Sequence, residues 1–261
     1  KYSSSIAVLP FVNIDSTGKE DFFADGLTEE IINSLANINQ LKVIARTSSF
    51  KFRGVNEDIR KIGEQLNVEN ILEGSIRKSG NRVRIVAQLI NAKEGSHIWS
   101  QKYDCAYGEI FGVQDKICSS IVDELLVKLA VSNIRLARNY TTDTETYLLY
   151  LKGRYFWNKK TKQNLEKAIE YFKKTIERDS SYALAYSGIA DSYNILAYGS
   201  TMSSEEAFTN SIRYAHKAIQ KDSLLSEAWT SLAFAYERYY WDFKKAEQYY
   251  NSLNGNTGKV N

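Results

Sequence analysis

The sequence predicts a two-part chain: an α/β N-terminal domain, with a mixed sheet and three or more helices, followed by an all-α domain of helical repeats. Three observations predict it. Up to about residue 129, short apolar runs alternate with amphipathic stretches, so the hydrophobic period switches between 2 and 3.6. After Tyr147 a pattern of large, small and aromatic residues recurs three times. The composition shifts at the same place: aromatic residues are 13% of the chain and many follow Tyr140, whereas the single proline is Pro10. A length of 261 residues suits two cores better than one.

The elements follow in order. Ile6, Ala7, Val8 and Leu9 form an apolar run suited to a strand buried on both faces. Pro10 ends it, because proline lacks the N–H that a ladder needs. Residues 12–20 read as a loop. Phe22, Phe23, Leu27, Ile31, Leu35 and Ile38 step by three and four along one helix face. Residues 41–45 read as a second strand, and Ile59, Ile62 and Leu66 mark a second helix. Three strands come next, over 69–78, 82–91 and 97–103. In the middle one Val83, Ile85, Ala87 and Leu89 alternate with polar residues. Val113, Ile117, Ile121, Leu125 and Leu129 place a long helix over 110–129. The first crossovers should be parallel and right-handed, and the later strands an antiparallel meander. This assigns 1–130 to the α/β domain, 131–146 to a linker or helix extension, and 147–261 to the repeats.

The repeats align on Leu149, Gly153, Phe156, Ala168 and Phe172; on Tyr186, Ala190, Tyr193, Ser211, Ala215 and Ala218; and on Trp229, Ala233, Tyr236, Ala246 and Tyr250. Small residues let antiparallel helices approach, and aromatics fill the gaps between pairs. The pattern resembles the tetratricopeptide repeat. It departs from that family in the 43-residue interval between Tyr186 and Trp229, which implies an insertion around 199–204, and in Ser180 and Ser223 where the repeat carries a closing proline. After Leu253 the pattern stops. The resemblance implies a concave groove lined by the first helix of each pair. Mapped residue by residue, the groove takes Tyr147, Tyr150, Arg154 and Trp157, then Leu184, Ser187, Asp191 and Asn194, then Glu227, Thr230, Phe234 and Glu237. Aromatic and arginine side chains in such a place suit a protein or peptide partner; self-association is a further expectation. An array of about three repeats rarely buries enough surface alone, so the α/β domain is expected to be its structural partner.

Charge and motifs exclude other classes. The formal charge is +3, from 34 basic and 31 acidic residues, without the excess a dedicated nucleic-acid surface shows. No apolar run is long enough to span a bilayer. The start at Lys1 suggests a fragment preceded by further sequence. Cys105 and Cys118 read as two separate thiols. No phosphate loop, serine-hydrolase, zincin or kinase motif occurs, and His97 and His216 lie too far apart for a metal site, so no catalytic residue, metal or cofactor is expected. One candidate anion site remains: Arg46, Thr47 and Ser48 follow a strand, where open α/β sheets bind ligands. The alternative there is that Arg46 pairs with an acid such as Glu73 or Asp25. Asp25 and Gly26 read either as a ligand loop or as close helix packing. Arg77, Lys78, Arg82 and Arg84 read as a solvated sheet face.

The first domain also has a family likeness. The runs 5–11 (SIAVLPF), 23–30 (FADGLTEE), 43–50 (VIARTSSF) and 71–77 (ILEGSIR), continued by Gln88, Leu89, Ile90 and Trp99, resemble a TolB amino-terminal-like domain over residues 5–129. With repeats behind it, the chain resembles the C-terminal sensory or scaffolding half of bacterial signalling proteins. In those, the upstream part is commonly a class III adenylate or guanylate cyclase, a CadC-type winged-helix regulator, or a Ser/Thr kinase. The resemblance implies a non-catalytic interaction module in the cytoplasmic or extracytoplasmic part of a membrane-anchored bacterial protein. Two alternatives stand beside it: a phosphate or nucleotide receptor near Arg46, and an envelope-assembly component.

Overall fold

A computed structural model of the chain describes residues 4–14, 21–38, 40–106, 109–126, 143–198 and 202–252. The chain divides into two compact units, residues 1–139 and 140–261.

The first unit is built on a six-stranded mixed sheet. Strand β1 (Ser4–Val8) lies between β3 (Leu41–Val43) and β4 (Asn70–Ser79), parallel to both. Strands β4, β5 (Arg82–Asn91) and β6 (Ser96–Ala106) form the expected antiparallel meander. The expected loop at 12–20 is corrected in part. Val12 and Asn13 form β2, which resumes pairing along β4 beyond the break at Pro10, and 15–20 lie outside the described residues. The break has a use: the Phe11 N–H donates to Thr28 Oγ1 at 3.0 Å instead of joining the ladder.

Side-chain alternation divides the sheet between its helices. Ala7, Leu9 and Ile71 pack with Ile62 of α3 (Ile59–Leu66). Ile6 and Val8 point to the opposite face, where α1 (Asp21–Ala36) and α4 (Ile110–Leu126) pack together. Leu27, Ile31 and Leu35 of α1 and Ile117 and Ile121 of α4 are fully buried, as their spacing requires. Leu129 lies outside the described residues. The strand expected over 41–45 stops at Val43, because Arg46–Ser49 forms a short helix, α2, continued by a 3-10 turn over Phe50–Phe52. On β5, Val83, Ile85, Ala87 and Leu89 are buried, while the outward Arg84 makes a two-pronged pair with Asp104 of β6, at 2.6 and 3.2 Å. Both cysteines are buried and unlinked, and burial pushes the Cys118 thiol up to about 12.

The second unit is three helical hairpins. They are α5 (Thr144–Trp157) with α6 (Lys162–Arg178), α7 (Ala183–Tyr198) with α8 (Ser204–Lys221), and α9 (Ser226–Ala235) with α10 (Phe243–Ser252). The described helices of this unit begin at Thr144, at the end of the segment 131–146 expected as a linker or helix extension. Side-chain oxygens cap the starts: Asp143 accepts from Glu145 and Thr146, Thr161 from Asn164, and Ser203 from Glu206. Arg178, at the end of α6, pairs with Asp143 and Glu145 and so ties the first hairpin closed.

Close approach within the array rests on Phe172. A Cβ at Gly153 of α5 or at Gly188 of α7 would stand 2.5 or 2.6 Å from its ring, so the ring is held between two glycines. The first helices of successive hairpins touch, α5 on α7 and α7 on α9, whereas contact between the second helices is slighter. Helices α5, α7 and α9 thus stand in one continuous row, here the inner row, while α6 and α8 each pack on the first helix of the next hairpin. Helix α9 ends in a π-helical turn, Tyr236–Tyr240, and Trp241 follows in the left-handed region at φ 54°. The segment after Leu253, where the repeat pattern stops, lies outside the described residues.

Candidate functional site

The inner row carries the twelve positions expected to line a groove, but at different depths. Tyr147, Tyr150, Ser187 and Asn194 are buried, which corrects their assignment as partner-facing residues. Tyr150 packs into the core, its ring 5.9 Å from Phe172 and 5.2 Å from Tyr182. The Asn194 Nδ2 donates to the Ser231 carbonyl at 2.9 Å and so staples α7 to α9. Leu184 is half-buried against Tyr186, Ala218 and Leu225. The remaining positions keep exposed surface. Arg154, Trp157, Asp191, Phe234 and Glu237 are half-buried, and Glu227 and Thr230 are exposed.

These side chains come together around Trp157. The Arg154 guanidinium lies 4.4 Å from the ring centroid and the Lys160 ammonium 2.6 Å. Burial raises the pKa of Asp191. Arg154 and Lys160 oppose that shift, and Glu227 adds to it. One carboxylate on α7 thus feels two cations from the first hairpin and an acid from the third. Two polar atoms of this row are buried without a hydrogen-bond partner, the Trp157 Nε1 donor and, on α7, the Asn194 Oδ1 acceptor. Such atoms cost free energy until something meets them. Lys160 was missed by sequence reasoning, because it lies in the turn beyond α5, where helical spacing no longer places side chains; its backbone is left-handed, at φ 55°.

Further along, the Tyr250 hydroxyl donates to Glu237 at 3.3 Å, and the Arg238 guanidinium lies 5.7 Å from the Phe234 ring. Glu237 and Arg238 also line a cleft of about 290 Å³ with Tyr198, Phe208, Trp241 and Phe243.

The candidate anion site is organised otherwise. Arg46 lies on α2, its Nε 3.4 Å from the Glu29 carboxylate and its guanidinium 3.7 Å over the Phe50 ring. Arg46 thus pairs with an acid, as the alternative reading expects, but the acid in ion-pair contact is Glu29, and Arg46 acts on Asp25 electrostatically. Asp25 is paired with Arg53. Asp25 and Glu29 are both buried in the middle of α1, so neither Asp25 nor Gly26 belongs to a ligand loop. Thr47 is exposed and Ser48 half-buried on the same short helix. An anion at Arg46 would have to compete with a buried carboxylate already there.

Among the described residues no group of three or more His, Cys, Asp or Glu side chains could hold a metal ion, and no helix is long and apolar enough to cross a membrane. His97 lies on β6 and His216 on α8, in different units.

Residues 2–120 match the family model of the second domain of HilA/YgeH-like transcriptional regulators. A protein of Rhizobium meliloti (strain 1021) named putative adenylate cyclase 3 is 44% identical over 151 residues, which is 58% of this chain and 26% of that protein. The chain thus spans about a quarter of the length of that relative. Among solved structures, TolB from Acinetobacter baumannii aligns over 48% of this chain and 29% of its own, at 12% identity and a TM-score of 0.36. Lipoprotein GNA1162 from Neisseria meningitidis aligns over 49% of this chain and 99% of its own, at 18% identity and a TM-score of 0.34.

Proposed function

We propose that the chain is a non-catalytic regulatory module whose helical hairpins, of tetratricopeptide type, take a segment of a partner protein along their inner row. The regulator-domain match over residues 2–120 and the identity to a protein named as an adenylate cyclase support a place in signalling or gene regulation. In this reading the module docks or positions an effector of that kind and performs no chemistry itself. The observation that carries the binding role is the setting of Trp157, with Arg154 and Lys160 over its ring, Asp191 within their field, an unpartnered donor on the ring itself and an unpartnered acceptor at Asn194 of the same row. A peptide brings both missing groups in its backbone amides, and the guanidinium–indole stack is of the kind that dominates interface energetics.

Site-directed photocrosslinking tests this. A photoreactive residue at Thr230, exposed on the inner row, should capture a discrete partner in cells. The adduct should fall at least about fivefold when Arg154→Glu and Asp191→Lys are added, a loss of about 1 kcal/mol of binding free energy. A photoreactive residue at Glu166, on α6, should not capture the same partner. Equal capture from both positions, or indifference to the charge changes, would sink the groove reading.

A further inference from the structure

The first hairpin carries a second feature, on the side of α5 away from the inner row. Lys152 and Phe156 of α5 and Lys159 in the turn just beyond it follow one another at steps of four and three, and Lys167, Tyr171 and Lys174 repeat those steps on α6. At about 100° per residue Lys152 and Phe156 lie roughly half a turn from Arg154 and Trp157. The structure brings the two stripes together. The Phe156 and Tyr171 rings stack at 5.4 Å, within 5° of parallel. Four ammonium groups surround the stack: Lys159 and Lys167 lie 5.7 and 5.5 Å from the Phe156 centroid, and Lys152 and Lys174 lie 5.9 and 5.2 Å from that of Tyr171. Lys159 also lies 4.3 Å over Tyr155. Between residues 152 and 174 there are eight basic and two acidic side chains, a local charge of +6 in a chain whose net charge is +3.

We infer that this face binds an acidic segment of a partner protein, with carboxylates on either side of an apolar residue. Charge complementarity selects the anion, and the ring geometry selects among anions. Single-stranded nucleic acid needs open ring faces for its bases to stack on; here the two rings cover each other and lysines stand over them. Lysine, a point charge, also lacks the flat fork that grips phosphate in two places, and Arg154 is the only arginine in this stretch. A membrane surface needs exposed apolar side chains to insert, and none of the large exposed hydrophobic residues among those described lies on α5 or α6. An acidic peptide meets the arrangement as it is. Lys152 stands by the Tyr171 ring and Lys159 by the Phe156 ring, so ammonium groups flank the stack and carboxylates of one acidic chain can meet both. The apolar residue between them would cover the edge of the stack. Glu170 is a weak competitor: it pairs with Lys174 at 2.5 Å, but both side chains are well exposed and water screens the pair.

The test is fluorescence anisotropy on the full chain, with a labelled peptide of alternating Glu and Leu as the probe. The controls are its Gln-for-Glu counterpart, an oligothymidylate, and vesicles of phosphatidylserine and phosphatidylcholine. The acidic peptide should bind in a salt-dependent way, and K159E/K167E should weaken it by about tenfold or more with the circular dichroism spectrum unchanged. K159Q/K167Q, a milder pair that keeps the helices intact, should weaken it less but measurably. Equal binding of the Gln peptide, tighter binding of the oligonucleotide or the vesicles, or insensitivity to both double variants would overturn the assignment. The photocrosslink from Thr230 should be unaffected by K159E/K167E, so the two sites can fail separately.

Discussion

Asp25 shows how one residue sets a pH response. Its carboxyl is buried in α1, and burial raises its pKa, with Arg53 and then Arg46 pulling the other way. The folded state therefore holds the proton more readily than the unfolded chain. Above the raised pKa the ionised Asp25 costs stability. That cost falls away as the pH drops through the raised value towards the ordinary one, and is gone below both. Asp25→Asn keeps the shape and removes the charge, and Arg53 is exposed enough to be solvated without its partner. The substitution should raise the urea midpoint at neutral pH, and the gain should vanish as the pH falls below the carboxylate range. A gain that persists at low pH would show that something other than the buried charge is responsible. Little of this was legible beforehand. The spacing of Phe22, Phe23, Leu27 and Ile31 locates the buried face of α1, but the sequence offers Asp25 only as part of a ligand loop, a close helix packing or a partner for Arg46, and does not single out Glu29. Only the position of Arg46 and Arg53, brought over α1 by a helical turn too short to have a period, makes them internal.

At the scale of elements, the glycines facing Phe172 carry the hairpin packing. Gly188→Ala gains about 1 kcal/mol of helix propensity, but its Cβ would stand 2.6 Å from a fully buried ring that Gly153 holds from the other side. With no room to yield, the clash should win. A net loss of about 1–2 kcal/mol is expected from denaturant titration, and Phe172→Leu should recover part of it. The repeat alignment includes Gly153 and Phe172 as small and aromatic positions, but it leaves out Gly188. Period-2 and period-3.6 patterns placed β4, β5, α1 and α3 to within a few residues. They could not show β2, which is two residues long and held by the register of β4. They could not show depth either: Tyr150 and Arg154 share a face of α5, yet Tyr150 meets Phe172 and Tyr182 while Arg154 stays at the surface beside Trp157.

At the scale of the molecule, each unit has a core of its own. Residues 140–261 expressed alone should therefore give one cooperative unfolding transition, with calorimetric and van't Hoff enthalpies in agreement, because buried contacts join the hairpins in turn: Phe172 against Gly188 and Tyr150 against Tyr182 join the first two, and the clusters around Ala228 and Leu232 join the second to the third. Separate transitions for individual hairpins would contradict a shared core. The seams between hairpins are shared unevenly: the second helix of one hairpin packs broadly on the first helix of the next, α6 on α7 and α8 on α9, while α5, α7 and α9 touch more lightly along the inner row. Each first helix after α5 is therefore a party wall, held by its own partner and by the preceding hairpin at once, so damage to α7 would loosen two hairpins where damage to α10 would loosen one.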